Sequence, residues 1–188
     1  MEQTETRPNG STHTLSLLVE NKPGVLHRIA GLFSRRGYNI ASLTVGPTEV
    51  PEYSRMTIVV RLHSKSVEQV VRQTQKLVPV VEVRELSPQD LIERELILVK
   101  IRTPESNYSE LRALAETYEA TIVDVSPDGL VVEASGPAGK LDALEERLQR
   151  FGIQEVCRSG RIALERGFKT LAPPALKGDP PPPAISAP

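Results

Sequence analysis

Along residues 15–46 the spacing of apolar positions changes twice, and the changes divide this stretch into strand, helix and strand. Leu15, Leu17 and Val19 alternate with Ser16, Leu18 and Glu20, the rhythm of a largely buried strand that ends at Glu20. Asn21-Lys22-Pro23-Gly24 breaks it, because proline holds φ near the value a helix start tolerates and glycine lets the backbone turn sharply. Val25, Leu26, Ile29, Ala30, Leu32 and Phe33 then recur at helical spacing, with His27, Arg28, Arg35 and Arg36 mainly on the other face. Gly37 is the expected residue past the helix end. Tyr38 to Val45 returns to extended chain, and Gly46-Pro47 stops it.

The reading continues downstream. A loop with two prolines (47–54) leads to a strand over Arg55 to Leu62; Ser66 is placed to cap a helix built on Val67, Val70, Val71, Thr74 and Leu77; Pro79 ends it, and Val80, Val81 and Val83 open a fourth strand. The order βαββαβ predicts a four-stranded antiparallel sheet with both helices on one face. Beyond a short link at 87–90 the pattern repeats. An offset of 80 positions lays Leu17-Leu18-Val19 on Ile97-Leu98-Val99, and Tyr38, Val45 and Pro47 on Tyr118, Val125 and Pro127. A helix is expected from about Ser106 to Tyr118, strands near 120–126 and 129–135 around Pro127-Asp128-Gly129, a helix on Leu141, Leu144, Leu148 and Phe151, and a last strand over Ile153 to Cys157. The fold class is α+β: two tandem ferredoxin-like βαββαβ domains, 12–86 and 91–165. Residues 1–11 are polar and expected to be a flexible lead-in. Residues 172–188 hold seven prolines in 17 positions with almost no apolar periodicity, the composition of a disordered tail.

Composition narrows the function classes. Net charge of −1 and a pI near 6.3 give no electrostatic pull toward nucleic acid or a membrane surface. No apolar run approaches the roughly 18 residues of a membrane span, and Glu2 and Glu5 stand where a leader would be apolar, so a cytoplasmic location is expected. The single cysteine, Cys157, excludes an internal disulfide and reads as an apolar strand residue. His13, His27 and His63 are separated by whole elements, with no metal-ligand spacing and no nucleophile to serve, so no catalytic residues and no metal site are expected.

The turn at 20–26 carries the candidate chemistry. A helix start leaves N–H groups unpaired and holds roughly half a positive charge, which makes it a seat for an anion. A side-chain amide both donates and accepts, so Asn21 and Asn39 can satisfy the carboxylate and ammonium of a free amino acid, with Gly24 at the corner and Val25, Leu26 and Ile40 as an apolar wall. The same asparagines also suit plain structural duty, Asn21 as a turn residue or N-cap and Asn39 at a strand end, which is the commoner use of that residue. The second repeat lacks the corner: Ile101 falls opposite Asn21, Pro104 opposite Gly24 and Glu119 opposite Asn39.

Five stretches are specific in sequence and order: ENKPGVLHRIAGLFSRRGYNIASLTVGPTE (20–49), SRMTIVV (54–60), ERELILVKI (93–101), IVDVSPDGLVVEASGPAGKLDAL (122–144) and RSGRIALERG (158–167). Through them residues 13–171 resemble the regulatory (small) subunit of acetohydroxyacid synthase, also called acetolactate synthase, whose N-terminal half is an ACT domain. It implies a non-enzymatic chain that activates a separate catalytic subunit and confers feedback inhibition by valine. It also implies a homodimer, with effector between two copies of the 21–40 region. Thiamine diphosphate, FAD and Mg are then cofactors of the partner, and none is expected in this chain. An ACT sensor serving another enzyme is the alternative. An acylphosphatase-like hydrolase is weaker, since Glu20 stands where that family's phosphate loop has glycine and sets a carboxylate against the incoming anion.

Overall fold

The structure is a computed structural model that describes residues 11–62 and 64–173, with the side chains of 63–66 outside the described set. Its first half runs β1 (Ser11–Glu20), α1 (Val25–Arg35), β2 (Ile40–Pro47), β3 (Tyr53–Leu62), α2 (Ser64–Gln75) and β4 (Val80–Leu86). The strands form one sheet in the order β2-β3-β1-β4, antiparallel at every pairing. The second half repeats the plan with β5 (Leu91–Arg102), a 3₁₀ turn at Glu105–Asn107, α3 (Tyr108–Thr117), β6 (Thr121–Ser126), β7 (Gly129–Gly136), α4 (Ala138–Leu148) and β8 (Ile153–Arg158). Its order is β6-β7-β5-β8, and a further strand, β9 (Ile162–Glu165), pairs with the first four residues of β5. Both halves are therefore ferredoxin-like, as the element order implied.

Period-two alternation assigns each face. In the first sheet Leu15, Leu17, Val19, Met56, Ile58, Val60, Val80 and Val83 face the helices and join Val25, Ile29, Phe33, Val67 and Val70 in one core. In the second, Ile97, Val99, Ile101, Leu130, Val132 and Ala134 meet Leu111, Leu141, Leu144, Leu148 and Phe151. The rear face of the first sheet is buried as well, although its residues are mostly polar: Thr14, Ser16 and Thr57 are all under 6% exposed. β9 and the segment after it cover that face. The Arg55 guanidinium donates to the Leu171 carbonyl (2.8 Å) and to Ser16 Oγ (3.4 Å), and Arg84 pairs with Glu165 at 3.3 Å.

Four expectations change. β1 opens at Ser11 rather than near Leu15, because ten residues from Ser11 to Glu20 pair in unbroken register with β3, and ladder hydrogen bonds continue where the apolar pattern has ended. α2 starts at Ser64, two residues before the expected cap at Ser66. β9 was not expected: Ile162, Ala163 and Leu164 are an unbroken apolar run in the sequence, whereas only Ala163 is buried and Ile162 and Leu164 are more than half exposed, so exposure alternates where residue type does not. Cys157 lies on β8 as expected but is exposed. Residues 1–10 of the expected lead-in and 174–188 of the expected tail lie outside the described residues, while Pro173, inside that tail, is buried.

Candidate functional site

The corner between β1 and α1 depends on one unusual backbone angle. Gly24 is the residue just before α1 and has φ of 83°, in the left-handed region that costs other residues about 1–2 kcal/mol. The chain can thus turn from the strand end into the helix within Lys22–Gly24. Val25 N–H reaches back to the Lys22 carbonyl at 3.4 Å, and Arg28 N–H takes the Gly24 carbonyl at 3.0 Å. The N–H groups of Gly24, Leu26 and His27 have no backbone acceptor among the described residues, so the helix start keeps the donors and partial positive charge of an anion seat. A Cβ built at Gly24 would meet nothing within 4 Å among the described residues, so the chain surface is open beside this glycine. Gly24→Ala is accordingly expected to lose about 1–2 kcal/mol from backbone strain alone, without a clash. Denaturant unfolding checks this, and a variant as stable as the parent would contradict the strained turn.

The side chains at the corner divide. Val25 is 7% exposed and belongs to the core, so it offers the corner its backbone, not an apolar wall. Leu26, its neighbour, is 46% exposed and supplies an apolar surface at the helix start. Asn21 is fixed at both ends: its N–H donates to Glu52 O at 2.7 Å and its Nδ2 to Pro51 O at 3.0 Å, which ties the loop before β3 to the end of β1. Among the described residues the amide oxygen and a second N–H of Asn21 remain for a ligand. Glu20 and Lys22 form an ion pair at 3.1 Å on the surface beside the turn.

Asn39 and Ile40 do not join this group within one chain. β1 and β2 are both antiparallel to β3, so they run in the same direction, and the end of β1 and the start of β2 lie at opposite ends of the sheet. Glu20 is opposite Tyr53 whereas Ile40 is opposite Val60. Seven residues of strand at about 3.4 Å each separate them, roughly 24 Å. What lies near the corner from β2 is its far end, Pro47, paired with Ser54. Asn39 is exposed, and Ile40 is partly buried against the core. The single corner flanked by two amides that the sequence suggested is therefore not closed by one copy. β2 is an edge strand of this sheet, with one side of its backbone unpaired among the described residues.

The second repeat has no such corner. Pro104, the counterpart of Gly24, is extended, a 3₁₀ turn precedes α3, and the Glu119 carboxylate is held by Lys140 Nζ at 2.6 Å and lowered below its usual pKa by that hydrogen bond.

Comparison with known proteins places both halves of the chain. Residues 15–82 match the model of the "AHAS small subunit-like ACT domain", and residues 94–167 match "Small subunit of acetolactate synthase". A probable acetolactate synthase small subunit of Methanothermobacter thermautotrophicus is 48% identical over 161 residues, 85% of this chain and 96% of the relative. The acetolactate synthase small subunit of Mycobacterium bovis is 47% identical over 156 residues, 83% of this chain and 93% of the relative. The crystal structure of the small subunit from Thermotoga maritima superposes with a TM-score of 0.78 at 39% identity, covering 84% of this chain and 98% of that one.

Proposed function

The chain belongs to the family of acetolactate synthase small subunits, and from that premise we propose that it is a non-catalytic regulatory subunit that activates a separate catalytic subunit and makes it sensitive to valine. The observation that carries the effector part is the open corner at Gly24, with N–H groups unpaired among the described residues, an Asn21 amide oxygen and an exposed Leu26. This donor set suits a free α-amino acid with an aliphatic side chain. The carboxylate takes the helix-start N–H groups and the Asn39 amide N–H, and the ammonium takes the Asn21 amide oxygen. Chemistry on pyruvate, with its thiamine diphosphate, FAD and divalent metal, belongs to the catalytic partner, and the assembly works in the cytoplasm.

A homodimer completes the seat. Pairing of two β2 edges about a twofold axis supplies Asn39 and Ile40 from one copy to Asn21, Gly24, Val25 N–H and Leu26 of the other. Beside that edge lies an open apolar groove of about 470 Å³, lined by Val45, Pro47, Ile92, Ile162 and Leu164 among others. These five include the exposed Val45, Ile92, Ile162 and Leu164, each between 45% and 60% exposed, and a second copy along β2 covers surface of this kind. Valine then acts by binding one arrangement of the complex more tightly than another.

The test mixes the pure chain with the acetolactate synthase catalytic subunit and titrates valine. Expected are a rise in activity on mixing and its decline with valine, with a coupling of about 5- to 150-fold. A chain that binds valine yet leaves the catalytic subunit unchanged would point to an ACT sensor of another enzyme.

A further inference from the structure

β2 touches more than the two effector seats. Its rear-face hydroxyls at Ser42 and Thr44 grip the three-residue loop between β8 and β9: Thr44 Oγ1 donates to the Arg161 carbonyl at 2.6 Å, and the Arg161 N–H donates to Ser42 Oγ at 2.8 Å. The approach needs glycine at 160, where φ is 80° and a Cβ would lie 2.9 Å from Ser42 Oγ and 3.1 Å from Thr44 Cγ2. The Arg161 side chain continues the connection into β5. Its Nη1 is 2.9 Å from Glu93 Oε2 and its Nε is 3.2 Å from Glu95 Oε1. Glu95 is only 8% exposed, and Arg158 approaches its other oxygen at 3.8 Å. A buried carboxylate held by guanidinium groups tolerates little displacement, because separating them strands a charge. Ser42 and Thr44 are therefore joined, through the 159–161 loop, to β5, an interior strand of the second sheet.

We propose that Ser42 and Thr44 are the coupling residues of this chain: they pass occupancy of the effector corner from β2 to β5 through the backbone of Arg161 and its pairs with Glu93 and Glu95. The inference rests on the reading of the corner as an effector seat. β2 is suited to the role because one seat receives its Asn39 end and the other lies at its Pro47 end, with the two hydroxyls between them. The pairing of β2 with β3 also shifts register between Ile40 and Ser42, so the strand has a bulge between amide and hydroxyl where it can change twist without moving β3.

The test is hydrogen exchange on the full chain, with and without valine, in the parent, in Ser42→Ala/Thr44→Val and in Gly160→Ala. The first variant removes the hydroxyls from one side of the seam. The second wedges the loop away from the other side, so a folding defect in one leaves the other to report. In the parent, valine is expected to slow exchange in 20–26 and in 158–165. In both variants protection of 20–26 persists, while protection of 158–165 falls about five-fold or more. Valine inhibition of the reconstituted enzyme weakens in parallel. Protection of 158–165 retained in both variants, or missing in the parent while 20–26 is protected, overturns the coupling. Protection missing from both segments in the parent overturns the corner reading instead, and the coupling with it.

Discussion

Asn39→Asp is expected to weaken valine binding at least tenfold, about 1.4 kcal/mol, while leaving activation of the catalytic subunit in place. The substitution keeps the side-chain shape but replaces a donor with a carboxylate facing the effector's own. Two such charges about 4 Å apart repel by roughly 4 kcal/mol at an effective dielectric near 20, and the exposure of Asn39 reduces that figure through solvent screening. Asn39 is the cleaner probe of the two amides. At Asn21 a carboxylate would also face the Pro51 carbonyl that now accepts a hydrogen bond, so loop and ligand effects would mix. Calorimetry measures the affinity, and valine bound as tightly as by the parent would remove Asn39 from the seat. A mixture of chains separates a shared seat from a private one. If each seat takes Asn21 from one copy and Asn39 from the other, a dimer of one Asn21→Ala chain and one Asn39→Asp chain has one doubly damaged seat and one intact seat. Mixed dimers then regain about half of the parent's binding capacity. No recovery would mean that both amides serve the same copy, against the strand directions found here.

Phe33→Ala should cost about 3–5 kcal/mol, a large share of the 5–15 kcal/mol typical of a folded domain. Phe33 is fully buried near the end of α1 and meets Tyr38 edge to face, the ring centroids 6.4 Å apart at 73°. Tyr38 N–H in turn takes the Phe33 carbonyl at 3.0 Å, so the ring and the backbone beneath it anchor the passage from helix to β2. Truncation empties a site that the surrounding sheet residues cannot collapse to fill. It also loosens the helix that carries the corner's donors. Urea unfolding checks the size, and a loss below about 1.5 kcal/mol would contradict the packing described. The second half should be affected less, because its own core on Leu111, Leu141 and Leu144 shares no residue with this one.

Much of this molecule is legible in local pattern. The helical spacing from Val25 to Phe33, the breaker at Pro23-Gly24 and the offset of 80 positions between halves follow from periods of two and 3.6, and such periods survive in a linear string. The Gly24 corner was legible for the same reason, since a left-handed residue at a strand end calls for glycine. The division of Val25 from Leu26 was not. Both fall on the apolar side of a helical wheel, but the first is 7% exposed and the second 46%, because the sheet covers one edge of the stripe and not the other.

Sequence by itself determined the two βαββαβ halves, the glycine turn that opens the first helix and the lack of that turn in the second copy, because each depends on residues within one or two elements. Tertiary structure alone decided three things: that Asn39 lies at the far end of the sheet from Asn21, that β9 and Leu171 cover a polar rear face, and that Ser42 and Thr44 hold the Arg161 loop. Strand direction and pairing between residues more than a hundred positions apart have no period, so nothing in the local pattern records them.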